Sequence, residues 1–100
     1  MASNGWVGIL SAELHFPEAH SLKEKRMFVR SAKDQLRNRF GASVAEVDHH
    51  DVWQRARLTV ACAAREHGEA ERLVAEAERW LFGQGFDVSG VGRDVVTLDE

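Results

Sequence analysis

Four consecutive polar residues near the middle of the chain carry side chains that bind metals or move protons: Asp48, His49, His50 and Asp51. Carboxylates and imidazoles are zinc ligands and also common general acids and bases. Neighbouring residues of a strand point to opposite faces, so a metal here needs a further ligand, from His15 or His20. The sequence has a single cysteine, Cys62, and lacks an HExxH motif. The pattern therefore favours the polar tip of a β-hairpin over a metal site, and it predicts no cofactor.

The same segment predicts how the two strands of this hairpin pair. A turn centred on His49 and His50 gives three opposed pairs: Asp48 with Asp51, Glu46 with Trp53, and Val44 with Arg55. Carboxylates directly opposite each other destabilise a strand pair. The histidines, backbone amides or a bound cation would have to offset the repulsion between Asp48 and Asp51.

Composition indicates one compact domain. The chain has 100 residues, 44% of them hydrophobic, and a formal net charge of −3. A second core does not fit in this length, and the negative charge disfavours a dedicated DNA-binding protein. No apolar stretch approaches the ~20 residues that span a bilayer, and the start "MASNGWVG" lacks the basic and apolar regions of a signal peptide. We therefore expect a cytoplasmic protein without membrane or DNA partners.

Hydrophobic periodicity predicts the element order β-α-β-β-α-β. Alternation with a period of two predicts a first strand over residues 6–15, a second from residue 42 and a third after the hairpin turn. The segment "FDVSGVGRDVVTL" supplies the fourth strand. Helices are predicted over residues 21–40, opened by the capping-box sequence "SLKE", and over 67–82. The glycines of the last strand indicate a bulge or an irregular edge. This order is typical of a ferredoxin-like, split β-α-β fold of the α+β class, a single domain over residues 1–100 whose four-stranded antiparallel sheet has both helices on one face.

The opposite face of this sheet is left open and carries the polar rows of the strands. Glu13 and His15 are expected beside Arg55 and Arg57, because their strands are central. An RNA-recognition motif has the same fold, but it stacks bases on aromatic residues that this face lacks. An open face with one exposed tryptophan instead favours a second copy or another protein. The candidate interface residues are Val44, Trp53, Arg55 and Arg57.

Positive charge is concentrated on the first predicted helix. Seven of the 13 lysines and arginines lie between Lys23 and Arg39, together with the acids Glu24 and Asp34. At about 100° per residue, four of the basic residues form one stripe beside the apolar face: Arg26, Arg30, Lys33 and Arg37. The others, including Lys25, add surface charge. Two interpretations stay open: a solvated face whose long side chains cover the edge of the core, and a surface that contacts phosphates.

Four stretches, "ELHFPEAHSLKEKR", "LRNRF", "SVAEVDHHD" and "WQRARL", together resemble the YlxP-like family, the bacterial domain of unknown function 503. The positions that carry the resemblance are Glu13, His15, Ser21, Lys23, Lys25, Arg26, Glu46, Asp48, His49, Asp51, Trp53 and Arg55. The chain departs from the family pattern at Ser11, where a basic residue is expected, and at His50, where an amide is commoner. The resemblance implies a small bacterial protein with a ferredoxin-like fold. Because such genes often lie near translation and ribosome-maturation genes, it also implies a role there. It supplies no catalytic residues.

These features favour a non-enzymatic accessory factor that binds structured RNA or a ribosomal particle. The loop "FPEAH" lacks the arginine and phosphate cradle of the acylphosphatases, which share the fold. His15 with Glu13 or Glu46 is a weak general-base candidate. A homodimeric protein-interaction module that uses the open sheet face is the alternative. A metal-dependent hydrolase at residues 48–51 is the third.

Overall fold

The computed structural model describes residues 3–99 and confirms the predicted order of elements. The elements are β1 (Trp6–His15), α1 (Leu22–Phe40), β2 (Ser43–Asp48), β3 (Arg55–Ala64), α2 (His67–Phe82) and β4 (Asp87–Val96). The strands form one antiparallel sheet in the order β2-β3-β1-β4, which places β1 and β3 at its centre. Within residues 3–99, neither helix is both long and apolar enough to cross a bilayer.

The core lies between the sheet and the two helices. Alternate residues of the central strands are fully buried: Leu10, Ala12 and Leu14 of β1, and Ala56, Leu58, Val60 and Cys62 of β3. Val29 and Leu36 of α1 and Val74 and Leu81 of α2 pack in the same cluster, so both helices cover one face. Each large aliphatic side chain removed from water contributes about 1.5–3 kcal/mol. Burial also raises the pKa of the Cys62 thiol, which keeps it protonated.

Helix α1 begins at its predicted capping box and ends at Gly41. The Ser21 hydroxyl accepts a hydrogen bond of 3.1 Å from the backbone N–H of Glu24, which satisfies one of the free donors of the first turn. Gly41 adopts a left-handed conformation with φ of 62° and donates its N–H to the carbonyl of Arg37. Glycine adopts this conformation without strain. The two caps therefore define the length of the helix.

Strand β4 contains the irregularity that its glycines predict. The pairing of β1 with β4 shifts between Ser11 and Glu13, and Gly90 has a φ of 55°. The Gly90 carbonyl accepts a hydrogen bond of 2.9 Å from Arg57 Nη2. The irregular edge strand thus contributes to the position of an arginine on the open face.

The predicted pairing of the β2–β3 hairpin is wrong. The structure instead pairs Val44 with Val60, Glu46 with Leu58 and, after a register shift, Asp48 with Arg57. Residues 49–54 form the connection, and Trp53 lies in it rather than in a strand. Val44 and Glu46 consequently face the helices, while Ala45, opposite Thr59, faces the open side. Glu46 occupies the helix side because a lysine of α1 pairs with it there.

The close approach of β1 to α2 at Gly8 yields a testable prediction. A β-carbon at Gly8 would lie 2.7 Å from the carbonyl oxygen of Ala70 and 2.7 Å from Val74 Cγ1. Gly8→Ala should therefore push the helix from the sheet and lower the free energy of unfolding by about 1–3 kcal/mol, measured by urea denaturation. Gly92→Ala in β4 is the matched control, because nothing lies within 4 Å of its β-carbon position. Equal stability of the two variants would contradict this packing.

Candidate functional site

A lysine is buried between α1 and the β2–β3 connection. The Lys25 side chain is 1% exposed, and its Nζ lies 2.7 Å from Glu46 Oε2. Nζ also donates to the carbonyl oxygens of His49 at 2.6 Å and His50 at 3.4 Å. The prediction that Lys25 is surface charge is therefore wrong. Its position belongs to the buried row of α1, with Val29, Ala32 and Leu36.

Glu46 balances the buried ammonium. Its side chain is 19% exposed, and its buried Oε2 atom accepts no well-directed hydrogen bond, so the contact with Lys25 is chiefly Coulombic. Burial of an unpaired charge costs several kcal/mol. A buried ion pair offsets this cost only when further hydrogen bonds satisfy the remaining donors and acceptors of the two groups. The carbonyl oxygens of His49 and His50 accept the further hydrogen bonds of the Lys25 ammonium. The pair thus holds β2 and the connection against α1.

His49 links this buried pair to the open face of the sheet. It is the one non-glycine residue within residues 3–99 with a positive φ, 65°, a conformation that histidine adopts more readily than most residues. Its N–H donates to Asp48 Oδ1 at 2.7 Å. Its ring Nε2 lies 2.9 Å from Glu13 Oε2 on the open face. The imidazole therefore lies within ion-pairing distance of the Glu13 carboxylate.

Glu13 is the centre of a charged cluster on the open face, the Glu13 cluster: Glu13, His49, Arg55 and Arg57. Arg55 lies 3.0 Å from Glu13 Oε2 through Nη2 and donates to it from Nε at 3.2 Å, while Arg57 Nη1 lies 3.3 Å from Oε1. The register places Glu13 opposite Arg57 and His15 opposite Arg55, which confirms the predicted neighbours. The Glu13 side chain is 15% exposed. Both carboxylate oxygens of Glu13 face cationic donors. This arrangement suits a carboxylate that fixes the positions of these side chains better than one that abstracts a proton.

The side chains of residues 48–51 do not converge on one point. Asp48 accepts from the backbone of His49, and His50 Nε2 lies 3.0 Å from the carbonyl oxygen of Glu46. In the part of the chain that the structure describes, no group of three or more His, Cys, Asp or Glu residues is placed to hold a metal ion. His15, the further ligand considered from the sequence, instead faces Asp87 at 3.3 Å.

The four candidate interface residues do not share one surface. Val44 packs against the core on the helix side, so its predicted place on the open face is wrong for the same reason as the hairpin register. Arg55 and Arg57 belong to the Glu13 cluster. Trp53 is 48% exposed in the connection, and two further exposed apolar residues lie near it in the chain, Val47 and Val52.

The four basic residues of the predicted stripe line one shallow groove between α1 and β2, the basic groove. Its volume is about 260 Å³, and its lining residues are Arg26, Val29, Arg30, Lys33, Asp34, Arg37 and Glu46. Arg37 lies 3.5 Å from Asp34, and Lys25 neutralises Glu46. Within residues 3–99, no carboxylate oxygen lies within 4.0 Å of the cationic groups of Arg26, Arg30 or Lys33. The groove therefore carries a net positive charge.

The fold and the site together define a small ferredoxin-like α+β domain with a charged open sheet face and a basic helix. The chain is similar to the de novo designed protein LFR1 1 with ferredoxin fold, at 12% identity and a TM-score of 0.50, over 94% of this chain and 88% of that one. It is also similar to the de novo designed protein Ferredog-Diesel, at 14% identity and a TM-score of 0.43, over 92% and 89%.

The chain belongs to the family described as "Protein of unknown function (DUF503)", whose sequence model matches residues 7–89. It is 29% identical over 66 residues to "Uncharacterized protein YlxP" of Bacillus subtilis (strain 168), an alignment that covers 66% of this chain and 72% of the relative. The resemblance drawn from the sequence is thereby confirmed. Neither description states an activity, so function has to be inferred from the geometry of the site.

Removal of the buried ammonium should destabilise the protein and loosen the connection. Lys25→Met keeps an apolar stem but leaves Glu46 and two carbonyls unpaired, so we expect a loss of about 3 kcal/mol in the free energy of unfolding. Amides of residues 49–54 should exchange faster with deuterium. Adding Glu46→Leu should recover part of the loss, because the unpaired carboxylate is then gone while the carbonyls still lack a donor. A double variant no more stable than the single one would show that the ion pair is not the dominant interaction.

Proposed function

We propose that this protein is a non-enzymatic, cytoplasmic accessory factor that binds structured RNA, free or within a ribosomal particle, through the basic groove. The observation that carries the proposal is the lining of that groove by four cations of one helix: Arg26, Arg30, Lys33 and Arg37. Three of them have no acidic partner among the described residues. Their charge is therefore available to phosphates.

The spacing of these cations suits a phosphate backbone. From Arg26 to Arg37 the helix rises roughly 16 Å, at about 1.5 Å per residue. Caps at both ends of α1 and the contacts of Lys25 hold the helix in place, so little order has to be imposed when a ligand binds. Duplex RNA is recognised largely by its shape and its phosphates, and contacts of this kind provide affinity without reading sequence.

The positions of the acidic groups favour binding over catalysis. Glu13 lies between two arginines and His49, and Glu46 lies beside Lys25. A general base has to reach the proton that it abstracts, whereas these carboxylates are directed into ion pairs. We therefore assign both to the scaffold that positions α1 and the connection.

Charge reversal in the basic groove should weaken RNA binding in a salt-dependent way. Arg30→Glu with Arg37→Glu changes two exposed side chains, so the domain should stay folded. Affinity for a structured RNA hairpin, measured by fluorescence anisotropy, should fall at least roughly tenfold. The slope of log affinity against log salt should shrink by about 0.7–0.9 for each phosphate that the variant no longer neutralises.

The matched control is Arg65→Glu with Arg79→Glu, which makes the same change of net charge on exposed side chains outside the basic groove. This control should bind nearly as the wild type does. Equal losses in the two double variants would show an effect of net charge alone. The RNA proposal fails if the groove variant sediments with ribosomal particles at physiological salt as well as the wild type does.

Self-association is the second candidate function, favoured by apolar side chains beside and within the β2–β3 connection. Val47 is 50% exposed, Val52 39% and Trp53 48%. Exposed apolar clusters mark interaction sites, and tryptophan is enriched among the residues that dominate the energy of protein interfaces. A second copy of the chain is the partner that we propose for this surface.

A dimer of this kind should form at micromolar concentration and should be weakened by Trp53→Ala, because the variant removes the largest apolar side chain of the cluster. Sedimentation velocity over a concentration series measures the effect. Leu98→Ala is the control, since Leu98 is 86% exposed and lies outside the cluster. A wild type that stays monomeric at the highest concentration would contradict the homodimer.

A further inference from the structure

An aromatic pocket lies on the flank of α1 away from the basic groove. It has a volume of about 300 Å³ and is formed by α1, the segment after β1 and the region where α2 ends. Four aromatic side chains line it: Phe16, Phe28, Trp80 and Phe86. Phe16 and Phe28 stack at 5.6 Å with their planes 11° apart, and Phe86 meets Phe16 edge-on at 5.2 Å. The volume lies at the lower end of the range for small-ligand sites, about 300–1,000 Å³.

Hydrogen-bonding groups border these aromatic walls. Ser31, Gln35 and Gln84 line the same pocket. Gln35 Nε2 donates to Ser31 Oγ at 3.4 Å and Gln84 Nε2 to the carbonyl oxygen of Trp80 at 3.0 Å, which leaves each amide its oxygen and its second N–H for a ligand. Phe28 is 37% exposed, so part of its aromatic surface is open to a ligand. A nucleobase is a flat ring with donors and acceptors on its edges. Proteins bind unstacked RNA bases by combining aromatic stacking with such edge contacts.

A third depression connects this pocket to the basic groove across the exposed side of α1. It is lined by Met27, Arg30, Ser31, Asp34 and Gln35. It shares Arg30 and Asp34 with the basic groove, and Ser31 and Gln35 with the aromatic pocket. A helix with its side chains is about 10–12 Å across, which is the distance that a base leaving a duplex in the basic groove has to reach.

We propose that the aromatic pocket binds one unpaired nucleobase of the RNA whose phosphates occupy the basic groove. The inference rests on the proposed function and deepens it, because it names the preferred ligand: an RNA duplex interrupted by a looped-out nucleotide. Phosphate contacts supply affinity that any duplex shares. The pocket adds a preference for the interrupted duplex, since a paired base cannot leave its stack without a cost.

An apolar side chain of a protein partner is the other occupant that such a pocket could accept. The polar border and the continuity with a positively charged groove favour the base. A purely apolar anchor gains nothing from Gln35, Gln84 and Ser31, whereas a base uses them.

The experiment compares two RNA hairpins that differ by one bulged nucleotide in the stem. The wild type should bind the bulged hairpin about tenfold more tightly, the size expected for one base–aromatic stack. Phe28→Ala should abolish the preference while leaving affinity for the fully paired hairpin unchanged. Gln35→Ala, which does not touch the aromatic stack, should reduce the preference even if Phe28→Ala proves poorly folded. Phe82→Ala is the matched control, because Phe82 is 55% exposed and does not line the pocket.

A spectroscopic readout reports directly on the pocket. In a variant with Trp6→Phe and Trp53→Phe, the remaining Trp80 fluorescence should be quenched by the bulged hairpin and not by the paired one. Equal affinity of the wild type for both hairpins would overturn this inference and leave the proposed function standing. So would a preference that survives both pocket variants, or loss of a protein partner instead of RNA in Phe28→Ala. Absence of binding to either hairpin would overturn the proposed function and this inference together.

Discussion

The ion pair of Lys25 with Glu46 is the constraint on which the rest of the site depends. An ammonium that is 1% exposed inside an apolar row of α1 needs a counter-charge and hydrogen-bond acceptors close by. Glu46 supplies the charge, and the connection after β2 supplies two carbonyls. A slip of β2 by one residue would turn Glu46 to the open face and leave the ammonium unpaired. The pair therefore selects the register of the strand as well as stabilising it.

One residue, His49, connects the ion pair of Lys25 and Glu46 to the open face of the sheet. The His49 carbonyl is held by Lys25, while its ring lies against Glu13 on the open face. Glu13 in turn faces Arg55 and Arg57 of the neighbouring strand. Polar side chains on both faces are thus joined at one end of the sheet. Five of the twelve positions that carry the resemblance to the YlxP-like family belong to this joined set: Glu13, Lys25, Glu46, His49 and Arg55.

Local patterns were sufficient for the elements and insufficient for the ion pair. The bounds of β1 and α2, the caps of α1 and the bulge of β4 follow from periodicity and from glycine chemistry. The face of β2 does not, because valines occur on both of its rows, Val44 on one and Val47 on the other. The burial of Lys25 did leave a signal: it is four residues before Val29, in step with Ala32 and Leu36, on the apolar face of the helix. Its charge nevertheless predicts exposure, since lysines are almost never fully buried unless paired. The partner that permits the burial is distant in sequence.

The distribution of charge explains how a protein with a net charge of −3 can present a surface to phosphates. Positive residues dominate α1, whereas α2 carries four glutamates, Glu69, Glu71, Glu76 and Glu78, against two arginines, Arg72 and Arg79. Charges on a protein surface act over a Debye length of about 8 Å at physiological ionic strength, so an approaching RNA responds to the nearer helix and not to the total. The negative charge of α2 repels phosphates on that side of the domain. It thereby favours the orientation in which α1 faces the RNA of the proposed complex. In the proposed complex the basic groove faces the RNA, and the aromatic pocket lies next to it across α1. In the proposed complex, long-range charge and short-range stacking act on the same helix: the charge attracts the phosphates, and the stacking adds the proposed preference for an unpaired base.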